Sequence, residues 1–213
     1  MLNILNMLSI ILLASTCAAI PLTPVWPNIF WQNFEETTYY SGIGTHNNTG
    51  TYYYNYNTKA YRIDRNNGGY DRYCGLEGPY FSQNTPCSHI VSNGYRYLYY
   101  SDLNKCCYCC NSTMGCGVLL PTWMDNSNFI DTEIHNGVLA YKWEKSGLQP
   151  NYFYETTGDD PVKRVTLSIY QINDDYMDFG PRSETLPPNI LDLPSICTLT
   201  NTCDWGFCQQ LRN

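Results

Sequence analysis

Several stretches of the chain alternate apolar and polar residues with a period of two, the pattern of strands that bury one face. Residues 51–57 read TYYYNYN, so Tyr52, Tyr54 and Tyr56 share a face. After a turn at Asn57-Thr58, residues 60–65 alternate again with Tyr61 and Ile63 inward, which predicts a hairpin. In residues 95–101, Tyr95, Tyr97 and Tyr99 face one way and Arg96, Leu98 and Tyr100 the other. Asn136-Gly137 is a two-residue hairpin turn joining residues 132–135 to 138–144. Residues 152–156, 162–170 and 176–179 continue the pattern, and residues 29–40 read as a strand because their end is rich in Thr and Tyr. Residues 70–94 read as a long loop broken by Gly75, Gly78, Pro79 and Pro86. The expected fold is an antiparallel meander of about eight strands with tight turns and no amphipathic helix of ordinary length.

Cysteines change this picture most. Residues 106–116 read CCYCCNSTMGC, holding five of the eleven cysteines, and Cys197, Cys203 and Cys208 form a tail. Cys106/Cys109 and Cys107/Cys110 have the C-x-x-C spacing of zinc knuckles and of redox motifs. The amino terminus argues for a third reading. Its apolar run, residues 1–13, is followed by small residues through Ala19, as in a cleaved signal peptide, and is short for a span of roughly 20 residues. Cys17 leaves with such a leader. An even set then remains for an oxidising compartment: Cys74, Cys87, Cys106, Cys107, Cys109, Cys110, Cys116, Cys197, Cys203 and Cys208. In an extended run Cys106 and Cys110 point to one face and Cys107 and Cys109 to the other, so the run must reach partners on both sides of its sheet. The sequons at Asn47 and Asn111 agree with export. The expected organisation is a leader over residues 1–19, one β domain over 20–190 and a cysteine-rich tail over 191–213.

The net charge of −7, with no basic stripe, argues against nucleic acid. His46, His89 and His135 have no spaced partner and read as surface or turn residues. No Gly-x-Ser-x-Gly elbow is present, and no catalytic constellation is visible. The acidic pairs Asp159-Asp160 and Asp174-Asp175 read as turns, with extracellular calcium as the sharper alternative and no other cofactor implied. Glu35 and Glu36 are adjacent and point apart on a strand. The tyrosine stripes serve either cross-strand packing or the lining of a ligand cavity.

Residues 117–124, GVLLPTWM, followed by Trp143-Glu144-Lys145, Tyr152-Phe153-Tyr154-Glu155, Pro161-Val162, Met177-Asp178-Phe179 and Pro194-Ser195-Ile196-Cys197, resemble a family of secreted plant and protist proteins over about residues 93–197. More distantly the arrangement is similar to ependymin-related proteins and the bacterial lipoprotein carriers of the LolA type. The resemblance implies a mainly β fold: a strongly curved antiparallel half-barrel with short helices, holding a hydrophobic or amphipathic, lipid-like ligand on its concave face. It carries over no catalytic residue. The lining expected for such a pocket is Tyr52, Tyr54, Tyr97, Tyr99, Trp123, Trp143, Tyr152 and Tyr154. The alternative is an extracellular coat or matrix protein that self-associates through its tyrosine faces and cysteine tail.

Overall fold

A computed structural model describes residues 19–40, 44–75, 83–146, 151–171 and 175–213; the expected leader, save Ala19, lies outside them. Eleven strands form one antiparallel, curved, unclosed sheet. In chain order they are β1 (Ile29–Tyr40), β2 (Gly44–Asn55), β3 (Ala60–Arg65), β4 (Cys87–Ser92), β5 (Tyr95–Tyr100), β6 (Lys105–Asn111), β7 (Asn128–His135), β8 (Val138–Lys145), β9 (Asn151–Thr156), β10 (Thr166–Gln171) and β11 (Asp175–Phe179). The spatial order is β6-β5-β4-β3-β2-β1-β11-β10-β9-β8-β7. Two meanders therefore meet where β1 pairs with β11, and β6 and β7, neighbours in sequence, occupy opposite edges.

The chain between those edges must cross the sheet, and the residues at 117–124 do so over the inner face. Trp123 packs edge-on against Trp26 (5.2 Å) and Phe153 (5.6 Å), Met124 is fully buried, and the Tyr54 hydroxyl donates to the Leu119 carbonyl at 2.7 Å. The Trp26 backbone N–H donates to the Pro121 carbonyl at 2.9 Å, so the amino-terminal lead-in joins the same plug. Beneath it lie Phe30, Phe34, Tyr52, Tyr54, Tyr61, Val91, Trp143 and Phe153, one continuous aromatic core. Burying rings of this size stabilises by about 1.5–3 kcal/mol each.

The five disulfides are Cys74–Cys87, Cys106–Cys197, Cys107–Cys203, Cys109–Cys208 and Cys110–Cys116, so all ten expected cysteines pair within the chain. Strand parity in the run differs from expectation. A bulge at Cys109 shifts the β5–β6 register: Arg96 pairs with Cys110, yet Tyr97 pairs with Tyr108. Cys106 consequently packs with Tyr97 and Cys197 on the outer side, while Cys107, Cys109 and Cys110 pack together with Leu98 and Tyr100.

The carboxy-terminal segment wraps this edge. Ser183 exchanges backbone hydrogen bonds with Trp31, and Leu193 and Cys197 cover Tyr97 and its neighbours on the outer face. Residues 201–203 then run beside Tyr108, covering backbone that would otherwise lie open at a sheet edge. A short helix, α1 (Gly206–Arg212), ends on the inner side, where Phe207 meets the Tyr73 ring at 5.0 Å. Among the described residues no helix is long and apolar enough to cross a membrane.

Candidate functional site

Residues on the inner face of neighbouring strands form lateral rows, because antiparallel pairing puts directly opposed side chains on the same side. One row runs Phe129, Trp143, Phe153, Ile169, Met177 and Glu36 from β7 to β1. Another runs Tyr54, Tyr61, Val91 and Arg96 from β2 to β5. The plug covers only part of these rows. Beside it a hollow of about 300 Å³ remains, lined by Ile63, Ile169, Met177 and Tyr61 on its apolar side and by Glu36, Arg65, Asp71, His89 and Arg96 on its polar side. That volume is at the lower end of small-molecule sites, about 300–1,000 Å³.

The polar side is a connected network. Arg65 grips Glu36 through Nε (2.7 Å) and Nη2 (2.8 Å) and lies 3.5 Å from Asp71. Asp71 comes from the turn after β3. Its carboxylate accepts from the backbone N–H of Tyr73 (3.0 Å) and Cys74 (2.8 Å) and bonds His89 Nε2 at 2.8 Å. The Cys74–Cys87 disulfide ties this turn to β4, and Gly68 packs so closely on it that an added Cβ would lie 2.6 Å from the Cys87 Cβ. Burial alone would raise the Asp71 pKa; Arg65, His89 and the Cys74 N–H outweigh it and hold the carboxyl well below the usual range. Burial pushes His89 down, against the pull of Asp71. A carboxylate can only accept, so the neutral ring carries its proton on Nε2 and donates to Asp71.

Asp71, Cys74 and His89 bring potential ligand atoms within 4.8 Å of one another, but the Cys74 sulfur is bonded to Cys87 and two ligands do not make a metal site.

The eight residues expected to line one pocket divide between the faces. Tyr52, Tyr54, Trp123 and Trp143 belong to the packed inner core. Tyr97 and Tyr99 lie on the outer side under the carboxy-terminal segment. Tyr152 and Tyr154 also point outward; Tyr154 stacks on His135 at 3.9 Å and donates to Glu133 at 3.0 Å. His89 and His135 are buried strand residues, contrary to the surface reading. Asn47 is exposed on β2, and the Asn111 side chain accepts from the Thr113 and Met114 N–H groups.

From the sequence alone, Glu36 and His89 are considered but given no role in a site, Arg96 falls on the strand face opposite the tyrosine stripe, and Arg65 and Asp71 are passed over as site residues. A usable signal exists for Arg65, which shares parity with the inward Tyr61 and Ile63. A second hollow, about 490 Å³, opens on the outer face between Asn33, Glu35, Thr49, Thr51, Asp64 and Asp178. It is acidic, and Glu35 stands there while Glu36 points inward, as adjacent strand residues must.

Residues 87–197, just over half the chain, match the model of a domain of unknown function (DUF8395). The match runs from β4 through the plug to Cys197. No curated protein matches significantly. Among solved structures the chain is similar to an uncharacterized conserved protein from Thermus thermophilus, at TM-score 0.49 and 9% identity over 81% of this chain and 90% of that one. It is also similar to a LolA superfamily protein from Nitrosomonas europaea (TM-score 0.39, 6% identity, 80% and 92% covered). A third is a putative outer membrane lipoprotein-sorting protein domain from Vibrio parahaemolyticus (TM-score 0.39, 8% identity, 78% and 89% covered).

Proposed function

The chain belongs to the DUF8395 family, and from its inner face we propose that it is a secreted binding protein for a hydrophobic or amphipathic, lipid-like ligand. The observation that carries this reading is the hollow beside the plug, with Ile63, Ile169 and Met177 on one side and a polar network on the other. A cavity with an apolar wall and a few fixed polar groups suits a molecule with a tail and a head. Five disulfides support an oxidising compartment, and Asn47 and Asn111 are the proposed glycosylation positions. In this reading Tyr52, Tyr54, Trp123 and Trp143 hold the site's shape instead of touching the ligand, and the outward tyrosines pack against neighbouring elements. The ten cysteines are consumed within the chain, which leaves the coat or matrix alternative no described thiol for linking copies.

Native mass spectrometry of protein secreted from eukaryotic cells tests this directly. Adducts in the mass range of a single lipid, removable by solvent extraction, are expected. Protein that emerges bare and takes up no lipid from mixed vesicles contradicts the reading.

A further inference from the structure

We propose that Arg96 anchors the anionic head, a carboxylate or a phosphate, of an amphipathic ligand whose tail lies against Ile63, Ile169 and Met177. This rests on the binding function just described and specifies its ligand class.

Arg96 differs from its neighbours. Arg62, Arg65, Arg164, Arg182 and Arg212 each have a carboxylate partner, Asp64, Glu36, Glu155, Glu184 and Asp204 respectively. Arg96 has none among the described residues, and its buried Nε has no hydrogen-bond partner. What surrounds the guanidinium is aromatic: Tyr73 with its ring centroid 4.9 Å from Cζ, and Tyr61 at 5.8 Å. A guanidinium stays charged when desolvated, and Arg96 lines the hollow with no described carboxylate beside it, so an anion bound in the hollow would supply the missing countercharge.

The neighbouring groups fit that role. Arg65, in the same hollow, already holds Glu36 and Asp71, and Arg72 also lines it; Arg96 is the cation set between two tyrosine rings. The two tyrosine side chains interact with the guanidinium. A hydroxyl that accepts from Arg96 keeps its own proton and can donate it to the incoming oxyanion. The two carboxylates in the lining, Glu36 and Asp71, are both held by Arg65, and His89 donates to Asp71. Val91 stands between Tyr61 and Arg96 in their row, so the head group's seat borders apolar wall. A planar fork of donors held by two rings suits a carboxylate or phosphate oxygen pair.

The test uses the full-length, delipidated protein and three probes of equal chain length: dodecanoate, dodecyl phosphate and dodecanol. Calorimetric titration of the wild-type protein is expected to show one or both anions binding at least tenfold more tightly than the alcohol. The stronger of the two identifies whether the head is a fatty-acid carboxylate or a lipid phosphate. Arg96→Gln should abolish that preference and leave dodecanol binding within twofold, and Arg96→Lys should restore part of it. Equal binding of all three probes by the wild type overturns the role of Arg96 while sparing the binding function. No binding of any probe overturns both. An anion preference that survives in folded Arg96→Gln protein also overturns the role of Arg96, and Arg96→Lys, which keeps the charge, guards against loss by misfolding.

Discussion

Arg65 on β3 holds Glu36 on β1 in a two-point contact, at 2.7 and 2.8 Å, across the whole width of β2. The reach is possible because the inner-face position between them is Gly50, which pairs with Phe34 on one side and Arg65 on the other. Both charged side chains are more than nine-tenths buried. Removing one partner of such a pair strands the other in low dielectric. Glu36→Ala is expected to cost about 3–5 kcal/mol, seen as a lower urea midpoint at unchanged slope. A loss under about 1 kcal/mol would place the pair effectively in water.

Gly50 itself is under a tighter constraint. A Cβ there would lie 2.1 Å from the Asp64 carbonyl oxygen and 2.4 Å from the Phe34 ring, and the first of these is backbone that cannot swing aside. Gly50→Ala should lower the melting temperature by the equivalent of about 1–3 kcal/mol. Gly180→Ala, whose Cβ would meet its nearest atom at 3.7 Å, serves as the control and should change little. Similar melting curves for the two variants would contradict the packing described.

His89 predicts a pH dependence. Its folded pKa is lowered from 6.5 by burial, so below pH 6.5 the unfolded chain binds a proton that the folded protein resists. Stability from this group is therefore full above pH 6.5 and falls as pH drops from there toward the lower folded value. Comparing the wild type with His89→Asn isolates the effect: the wild type should lose stability relative to the variant as the pH falls below 6.5. Parallel curves, or a gap that widens in the other direction, would show that the ring is not buried neutral.

The tail should open locally. With Cys107–Cys203 intact, breaking Cys109–Cys208 frees only the segment beyond Cys203, so the loop entropy released is small. In Cys109→Ser/Cys208→Ser protein, amide exchange should quicken in α1 and leave β1 and β2 protected. Loss of protection throughout the sheet would mean that the helix is integral to the core.

Much of this architecture was legible in the chain. The hairpins around Asn57-Thr58 and Asn136-Gly137 follow from alternation and turn chemistry, and both form. β4 was hidden within an expected loop because its six residues, CSHIVS, are buried on both faces except at the end, which erases the period of two. The same double burial misled the reading of Tyr95, Tyr97 and Tyr99. Their stripe looks like a core face, but the carboxy-terminal segment covers them from outside, and the inner side carries Arg96, Leu98 and Tyr100. Residues 162–170 were expected to be one strand; only Thr166–Gln171 is, since residues 161–163 turn at Pro161. The site was harder to foresee, because Glu36, Arg65, Asp71, His89 and Arg96 come from four strands and one turn that only the meander brings together.

The proposed amphipathic ligand would occupy the hollow beside the plug. The most direct measurement is paramagnetic relaxation in methyl-labelled protein titrated with a spin-labelled fatty acid carrying the label on its tail. Broadening is expected at the methyls of Ile63, Ile169 and Met177, with Ile134 at the exposed β7 edge unaffected. Broadening centred on Ile134, or none at any methyl at saturating ligand, would contradict the account.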